Sequence, residues 1–344
     1  MELALYCPEC GFYEKEGDNV GRGGDFYTSV SVGPLFGELL AFQFDRWLGE
    51  SRIADCGLRI VEAGAHDGKL AADVLGWFQR QRPESFARLD YCILEPSVRR
   101  REWQQKSMAE FSRQVRWLDD FADPPSASGR PCFTIVFSNE LLDAMPVRRF
   151  GWDAVKREWF EWGVTTESEH FVWSRLPLRS SSSMPGLSSL DELQGVLPDG
   201  YTVEFCPAAE RWWGEVANRL RHGKLLTFDY GLAGEEVISP QRLNGTVRAY
   251  RNHSYAENVL ADPGEQDITA HVNFSRIEAA GIAMGLTSDV LETQGRFLTR
   301  VAAGAWKLES GFGEWDQKRT RQFQTLTHPQ HLGQSFRVLV QSRR

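Results

Sequence analysis

Long apolar runs are missing from this sequence, and so is an excess of positive charge. No stretch approaches the roughly 18 apolar residues that a membrane-spanning helix needs, so membrane insertion is not expected. Lysine and arginine total 39 against 47 aspartates and glutamates, a formal net charge of -8. A nucleic-acid surface needs a basic patch to neutralise phosphates, so nucleic acid is not an expected partner. Cysteine is sparse, with six in 344 residues, and the spread of the six does not suggest a disulfide framework. The first residues, Met1 to Tyr6, have neither a basic n-region nor the apolar core of a signal peptide. The expected location is therefore a reducing cytoplasm. Cys7 and Cys10 form a CxxC, but the chain holds no second one. Two ligands of the usual four do not make a structural zinc site, so no metal is expected, and the pair reads as a turn before Gly11-Phe12-Tyr13. The three-glycine fingerprint of a dinucleotide fold is missing too, which sets aside a nicotinamide dehydrogenase.

What is present is ordinary in bulk: 42% hydrophobic and 25% charged residues, the balance of a soluble globular chain. The length suits one large α/β domain with insertions, or two modest domains. The organising stretch is Arg59 to Leu75. Ile60 and Val61 read as a buried strand, Glu62 ends it, Gly64 and Gly68 turn the chain, and Leu70, Val74 and Leu75 begin a helix. Strand, glycine turn and helix bring bare backbone against a nucleotide. Such turns also occur in α/β proteins without a ligand. An acidic residue in a turn with too few glycines for pyrophosphate suits S-adenosyl-L-methionine (SAM), whose charges are a sulfonium and an ammonium.

Carboxylates recur where later strands end. Glu95 follows the strand from Asp90, where an acidic residue accepts hydrogen bonds from ribose hydroxyls. Before Pro96-Ser97 it also suits a helix-capping region. Asp119-Asp120 follows Val115 to Leu118, with Asp120 placed to face an adenine. The apolar run Cys132 to Phe137 ends in Ser138, Asn139, Glu140 and, further on, Asp143. Asn139, Glu140 and Asp143 are the expected catalytic residues, because ligands sit beyond the carboxyl ends of central strands. Asp267 and His271 suit either a general-base pair or a cap on the helix Phe274 to Met284.

The chain divides in sequence into three parts. Residues 1–50 form a cap with a glycine-rich loop and a helix; the loop runs from Gly21 to Ser29 and carries Thr28 as a ligand contact. Residues 51–150 and 206–344 form the core. Residues 151–205 form a β-rich insertion on the substrate side, with period-2 runs from Glu158 and His170 and a serine-rich loop, Arg179 to Ser189. Several of the 12 tryptophans fall between Trp152 and Trp213, so a large aromatic cluster is expected in mid-chain.

Taken together, these motifs resemble the MidA-like, mitochondrial complex I assembly-factor family of SAM-dependent methyltransferases. The matching features, in order, are Ala4-Leu5-Tyr6 with Pro8 and Gly11-Phe12-Tyr13; Gly24-Asp25-Phe26 with Thr28-Ser29; Phe36-Gly37-Glu38; Val61 to Gly64; Ser138-Asn139-Glu140 with Asp143 to Pro146; Asp229-Tyr230-Gly231; Thr246 to Tyr250; and Asp267 to Phe274. The resemblance implies a Rossmann-like class I methyltransferase sheet with helices on both faces. It implies SAM as cofactor, held by Glu62, Gly64, Ala65, Gly68, Glu95, Asp120 and Thr28, and arginine N-methylation of a protein substrate, with a respiratory-complex subunit among the candidates. A homodimer is compatible with it. The chain departs from the family in three places. His66 stands where the family's turn has a glycine, Val30-Ser31 replaces a Pro-Glu pair, and the helix before the first motif reads as absent. These departures keep two alternatives open, a non-catalytic assembly or binding protein and a small-molecule methyltransferase.

Overall fold

The apolar run in front of the Glu62–Gly68 turn becomes the middle of a sheet. The computed structural model describes residues 1–15, 28–51, 57–122, 132–178, 190, 193, 195–251, 254–307 and 315–344. The loop Gly21–Tyr27, most of the loop Ala122–Pro131 and the loop Arg179–Ser189 lie outside the described residues.

In chain order, α1 (Glu2–Tyr6) is followed by α2 (Leu35–Glu50), β1 (Gly57–Ala63), α3 (Lys69–Gln81) and α4 (Pro83–Phe86). Next come β2 (Asp90–Leu94), α5 (Val98–Ser107), β3 (Val115–Leu118) and β4 (Cys132–Asn139). A β-rich stretch holds β5 (Arg148–Asp153), β6 (Glu158–Glu167), β7 (His170–Pro177) and β8 (Thr202–Phe205). Then α6 (Pro207–Arg219), β9 (Gly223–Leu232), β10 (Arg248–Arg251), β11 (Ser254–Ala256), β12 (Asp267–Thr269), β13 (Val272–Asn273) and α7 (Phe274–Ala283) lead to the last elements. These are β14 (Thr287–Thr293), α8 (Gln294–Lys307), α9 (Gln317–Thr327), α10 (Leu332–Ser335) and β15 (Phe336–Arg343).

The large sheet runs β3-β2-β1-β4-β9-β15-β14, with β13 paired to β9 off this path. β1 is parallel to both β2 and β4, and Ile60 sits between Tyr91 and Ile135. β15 runs antiparallel to β9 and to β14. The strand order reverses direction between β1 and β4, the switch point where a crevice opens beyond the carboxyl ends. Alternation decides which helices each strand meets. Leu58, Ile60 and Ile135 face the layer of α2, α3 and α8, and Val61, Ala63 and Val136 face α6 and α7. This is the α/β sheet, helices on both faces, that the sequence predicts. α2 is buried along nearly its whole first half, from Leu35 to Phe44, because the sheet, α3, α8 and α9 enclose it. It ends at Glu50, just before β1, so the helix read as absent ahead of the turn is present.

Two smaller sheets flank this core. β7-β6-β5-β8 is antiparallel and closes on Phe150, Trp152, Trp159, Val203 and Phe205, each worth roughly 1.5–3 kcal/mol of burial. The expected mid-chain aromatic cluster is therefore split. Trp152 and Trp159 stand edge to face at 5.3 Å here, whereas Trp213 lies in the large-sheet core and donates to Gln341 Oε1 at 2.7 Å. The sheet β11-β10-β12 packs Val247, Ala249 and Ile268 against Leu5 and Phe12 of the N-terminal segment. That packing carries residues 1–15 across the open end of the large sheet.

Candidate active site

The Glu62–Gly68 turn sits at the carboxyl end of β1. Gly64 and Gly68 take φ of 74° and 81°, and His66 takes a left-handed φ of 47° that a glycine adopts without strain. A Cβ on Gly64 would come within 2.9 Å of Leu141 Cδ1, so the missing side chain lets β1 and β4 approach closely. Fully buried Gln104 fixes the turn: its Nε2 donates to the His66 carbonyl at 2.9 Å and to Glu95 Oε2 at 3.3 Å, and its Oε1 accepts from Trp117 Nε1. Beyond the turn opens a cleft of about 810 Å³, lined among others by Gly64, His66, Glu95, Asp120, Glu140 and Trp212. The N-terminal segment forms its far wall through Tyr6, Pro8, Tyr13 and Glu14. Three bonds seat that wall: Tyr6 Oη to the Ala144 carbonyl at 3.0 Å, Ser97 Oγ to Glu14 Oε2 at 2.9 Å, and Arg99 to the Glu14 carbonyl.

A group of carboxylates adjoins the cleft. Glu140 is on its wall, with φ of 53°, and accepts from Asn139 Nδ2 at 3.0 Å and from the Ser29 N–H. Asp143, Asp229 and Asp267 are buried. Asp229 accepts the backbone N–H groups of Leu142 at 2.9 Å and Tyr230 at 2.8 Å, and Asp267 accepts the Tyr13 hydroxyl at 2.7 Å. Burial, reinforced by the charge of Asp143, holds the Glu140 carboxyl well above its usual range. Burial, with the charges of Asp229 and Asp267, does the same to Asp143. Asp229 is pushed up to about 8 by burial, and the Glu140 charge adds to the effect. So many acids in low dielectric cannot all ionise. Among the described residues, Asp143 Oδ1 and Asn139 Oδ1 are buried with no hydrogen-bond partner. Unpaired acceptors beside surplus acids form a receptor for a cation with several N–H donors.

The structure distributes the sequence-predicted residues unevenly. Gly64, Glu95, Asp120 and Glu140 line the cleft. Asn139 and Asp143 lie behind it with the carboxylate group. Glu62 is not on the cleft wall; strand alternation turns it into the α2/α3 layer, where it accepts the Tyr91 hydroxyl at 2.5 Å and burial lifts its carboxyl to about 8. Ala65 and Gly68 are buried under the turn, with the Gly68 N–H bonded to the Ala65 carbonyl at 2.7 Å. Thr28 is buried and folds back on Ser31, whose N–H donates to its Oγ1 at 3.1 Å; the bend presents the Ser29 N–H to Glu140. Asp120 pairs with Arg219, and Glu95 with Arg100 Nη2 at 3.1 Å. Asp267 turns to Tyr13 while His271 is exposed, and Asn273 caps α7. Sequence reasoning missed Tyr6, Tyr13, Arg100, Gln104 and Asp229 as site residues. Asp229 had a legible signal, since it sits near the carboxyl end of its strand, as Glu140 sits just past the end of β4.

An α/β sheet with an acidic cleft at its switch point defines a nucleoside-cofactor protein, and the donor set fits SAM. Glu95 keeps one of its roughly four lone-pair sites beyond those taken by Ser97, Arg100 and Gln104, enough to accept from one ribose hydroxyl. The volume suits a ligand of that size. Residues 39–291 match the family described as "Putative S-adenosyl-L-methionine-dependent methyltransferase", and the chain belongs to that family. It is similar to "Protein arginine methyltransferase NDUFAF7, mitochondrial" of Danio rerio, 27% identical over 303 residues, covering 80% of this chain and 65% of the relative. The Drosophila melanogaster homolog is 26% identical over 374 residues, covering 99% and 79%. The chain thus spans less than two thirds of the zebrafish relative's length and more than three quarters of the fly relative's. A solved structure from Burkholderia thailandensis bound to S-adenosyl-homocysteine (SAH) superposes with a TM-score of 0.82 at 30% identity, over 99% of this chain and 86% of that one. The mitochondrial names of the relatives overturn the cytoplasmic location expected from the sequence. Sparse cysteine marks a reducing compartment and does not choose among them.

Proposed function

We propose that the chain transfers a methyl group from SAM to a guanidinium nitrogen of arginine in a protein. The observation that carries this reading is the unpaired, buried Asp143 Oδ1 among like-charged neighbours at the back of the cleft. A guanidinium supplies five N–H donors in a planar fork and a permanent positive charge. Its arrival gives Asp143 and Asn139 their missing donors and lets the raised carboxylates ionise. SAM supplies an electrophilic methyl group when bound. Glu95, Asp120 and the bare backbone of Gly64 hold it. Glu140 and Asp143 orient the guanidinium, and one of these carboxylates takes the proton that the nitrogen loses as its bond to carbon forms. The acceleration comes from positioning and fixed charge.

The names of the relatives support a protein partner, and a respiratory-complex subunit is the candidate that the family resemblance supplies. The test is SAM with a labelled methyl group, offered with a protein extract and with arginine peptides. Label recovered as methylarginine is the expected result. Label confined to small molecules would replace this reading with a small-molecule methyltransferase. A second reading, a binding protein that retains the cofactor cleft without turnover, draws on His66 in the left-handed position of the turn. SAH binding without transfer to any extract component would favour it.

A further inference from the structure

The CxxC set aside as a metal site lies on the wall of the cofactor cleft. Cys7 and Cys10 flank Pro8, which lines the cleft with Tyr6 on the other side of Cys7. The segment is a tight turn, closed by the Gly11 N–H on the Cys7 carbonyl at 2.7 Å. Its shape is locked. A Cβ on Gly11 would meet Cys7 N at 2.5 Å and Leu5 O at 2.7 Å, and one on Gly264 would meet the Cys10 carbonyl at 2.2 Å. The two thiols bracket this turn and differ in character: contact with the Cys10 thiol helps hold the Cys7 thiol below its usual range, and the same contact holds Cys10 above it. The N–H groups of Glu9 and Cys10 also point at that sulfur. The nearby charged groups are Glu9 and Lys15. Cys10 is exposed and Cys7 partly so, and both are free thiols. Among the described residues no third metal ligand joins them.

We infer that Cys7 and Cys10 form a reversible dithiol–disulfide site whose redox state is read out at the cofactor cleft through Pro8 and Tyr6. Cys7 is the attacking sulfur, because the donors around it hold its thiol below the usual range, while Cys10 is held above it and keeps its proton until the second step. The co-reactant is a low-molecular-weight disulfide such as glutathione disulfide. The Cys7 thiolate attacks one of its sulfurs and releases one thiol, leaving a mixed disulfide on Cys7. The Cys10 sulfur then attacks Cys7, forms the intramolecular bond and releases the second thiol. One disulfide is consumed and one is made. Buried Cys92 and partly buried Cys206 are unsuited to this, since desolvation pushes Cys92 up to about 12 and Cys206 to about 11.

The link to the cleft rests on the cofactor reading above; the thiol chemistry does not. The full chain is incubated with graded glutathione disulfide and its thiols are mapped by alkylation and mass spectrometry. The expected product is a Cys7–Cys10 disulfide, lighter by about 2 Da, formed before Cys92 or Cys206 reacts and reversed by dithiothreitol. Cys10→Ser should accumulate glutathione on Cys7, a gain of about 305 Da, while Cys7→Ser should leave Cys10 largely unmodified. Cys7 and Cys10 reacting no faster than Cys92 and Cys206, or Cys10 taking the adduct in preference, would overturn the site. Calorimetric titration with SAH then compares the two redox states, with a Kd change of roughly threefold or more expected. Equal Kd values in the two states would overturn the coupling. Absence of SAH binding in both states would sink the cofactor reading and leave the thiol result standing.

Discussion

The cofactor cleft and the carboxylate group behind it are both acidic, but their acids are handled in opposite ways. Along the cofactor side of the cleft Glu95 pairs with Arg100, Asp119 with Arg101 and Asp120 with Arg219. In the group behind, Asp229 has backbone donors, Asp267 has a tyrosine, and one oxygen of Asp143 has no partner among the described residues. The Asp119 and Asp120 pairs shape a surface without storing much energy, because exposed ion pairs are worth little, whereas Glu95 is buried. Unpaired buried acids are costly, and the cost is recovered when a cation arrives. Under the proposed function, the cleft serves binding and the group behind serves chemistry.

Variants that separate the two regions test this most sharply. Glu140→Gln should lower methyl transfer by roughly 100- to 1000-fold while SAH affinity, read by calorimetry, stays within a factor of about 2. A parallel loss of both would merge the regions. Glu95→Ala should do the reverse, weakening SAH binding by roughly 10- to 100-fold, the worth of a charge-assisted hydrogen bond pair, with a smaller effect on turnover at saturating SAM.

Buried acids also set a pH dependence. Asp229 and Glu62 have folded-state values raised to about 8, above their ordinary range. Their contribution to stability is fully present below the unfolded pKa near 4 and is lost as pH rises through about 8. The melting temperature should therefore fall between pH 5 and pH 9 by several degrees, roughly. Asp229→Asn should flatten part of that slope, and a slope unchanged in the variant would exclude Asp229 as its source. The smallest effect is expected in the turn. His66→Gly relieves a left-handed φ worth roughly 1–2 kcal/mol, less the entropy glycine loses on folding, so a gain of about 1 kcal/mol or less is expected in denaturant unfolding. Gly64→Ala, at φ of 74° and facing Leu141, should lose stability by a similar amount.

The binding region was largely legible in the sequence, because its parts lie at strand ends that periodicity locates. Gly64, Glu95 and Asp120 each follow an apolar run, and each reaches the cleft. The failures have one physical source. Glu62 also follows that run, yet one residue of register in a strand changes its face, and it meets Tyr91 in the core. Thr28 has the right neighbourhood, but its hydroxyl is spent on Ser31 and the adjacent N–H does the reaching. The insertion over 151–205 was expected on the substrate side; among its described residues none lines the cleft.

The sequence by itself determined the alternation of strands and helices, the glycine turn at the end of β1 and the run of acids at strand ends. These are local properties, set by side-chain period and backbone freedom within a few residues. Only the tertiary structure decided that Asp143, Asp229 and Asp267, drawn from three separate segments, share one buried volume with Glu140. It also decided that the N-terminal segment, anchored on β10 and β12, carries Tyr6, Pro8 and the Cys7–Cys10 turn to the cleft wall. Burial and the proximity of distant segments arise from how layers stack, and in low dielectric they turn ordinary acids into a site waiting for a cation.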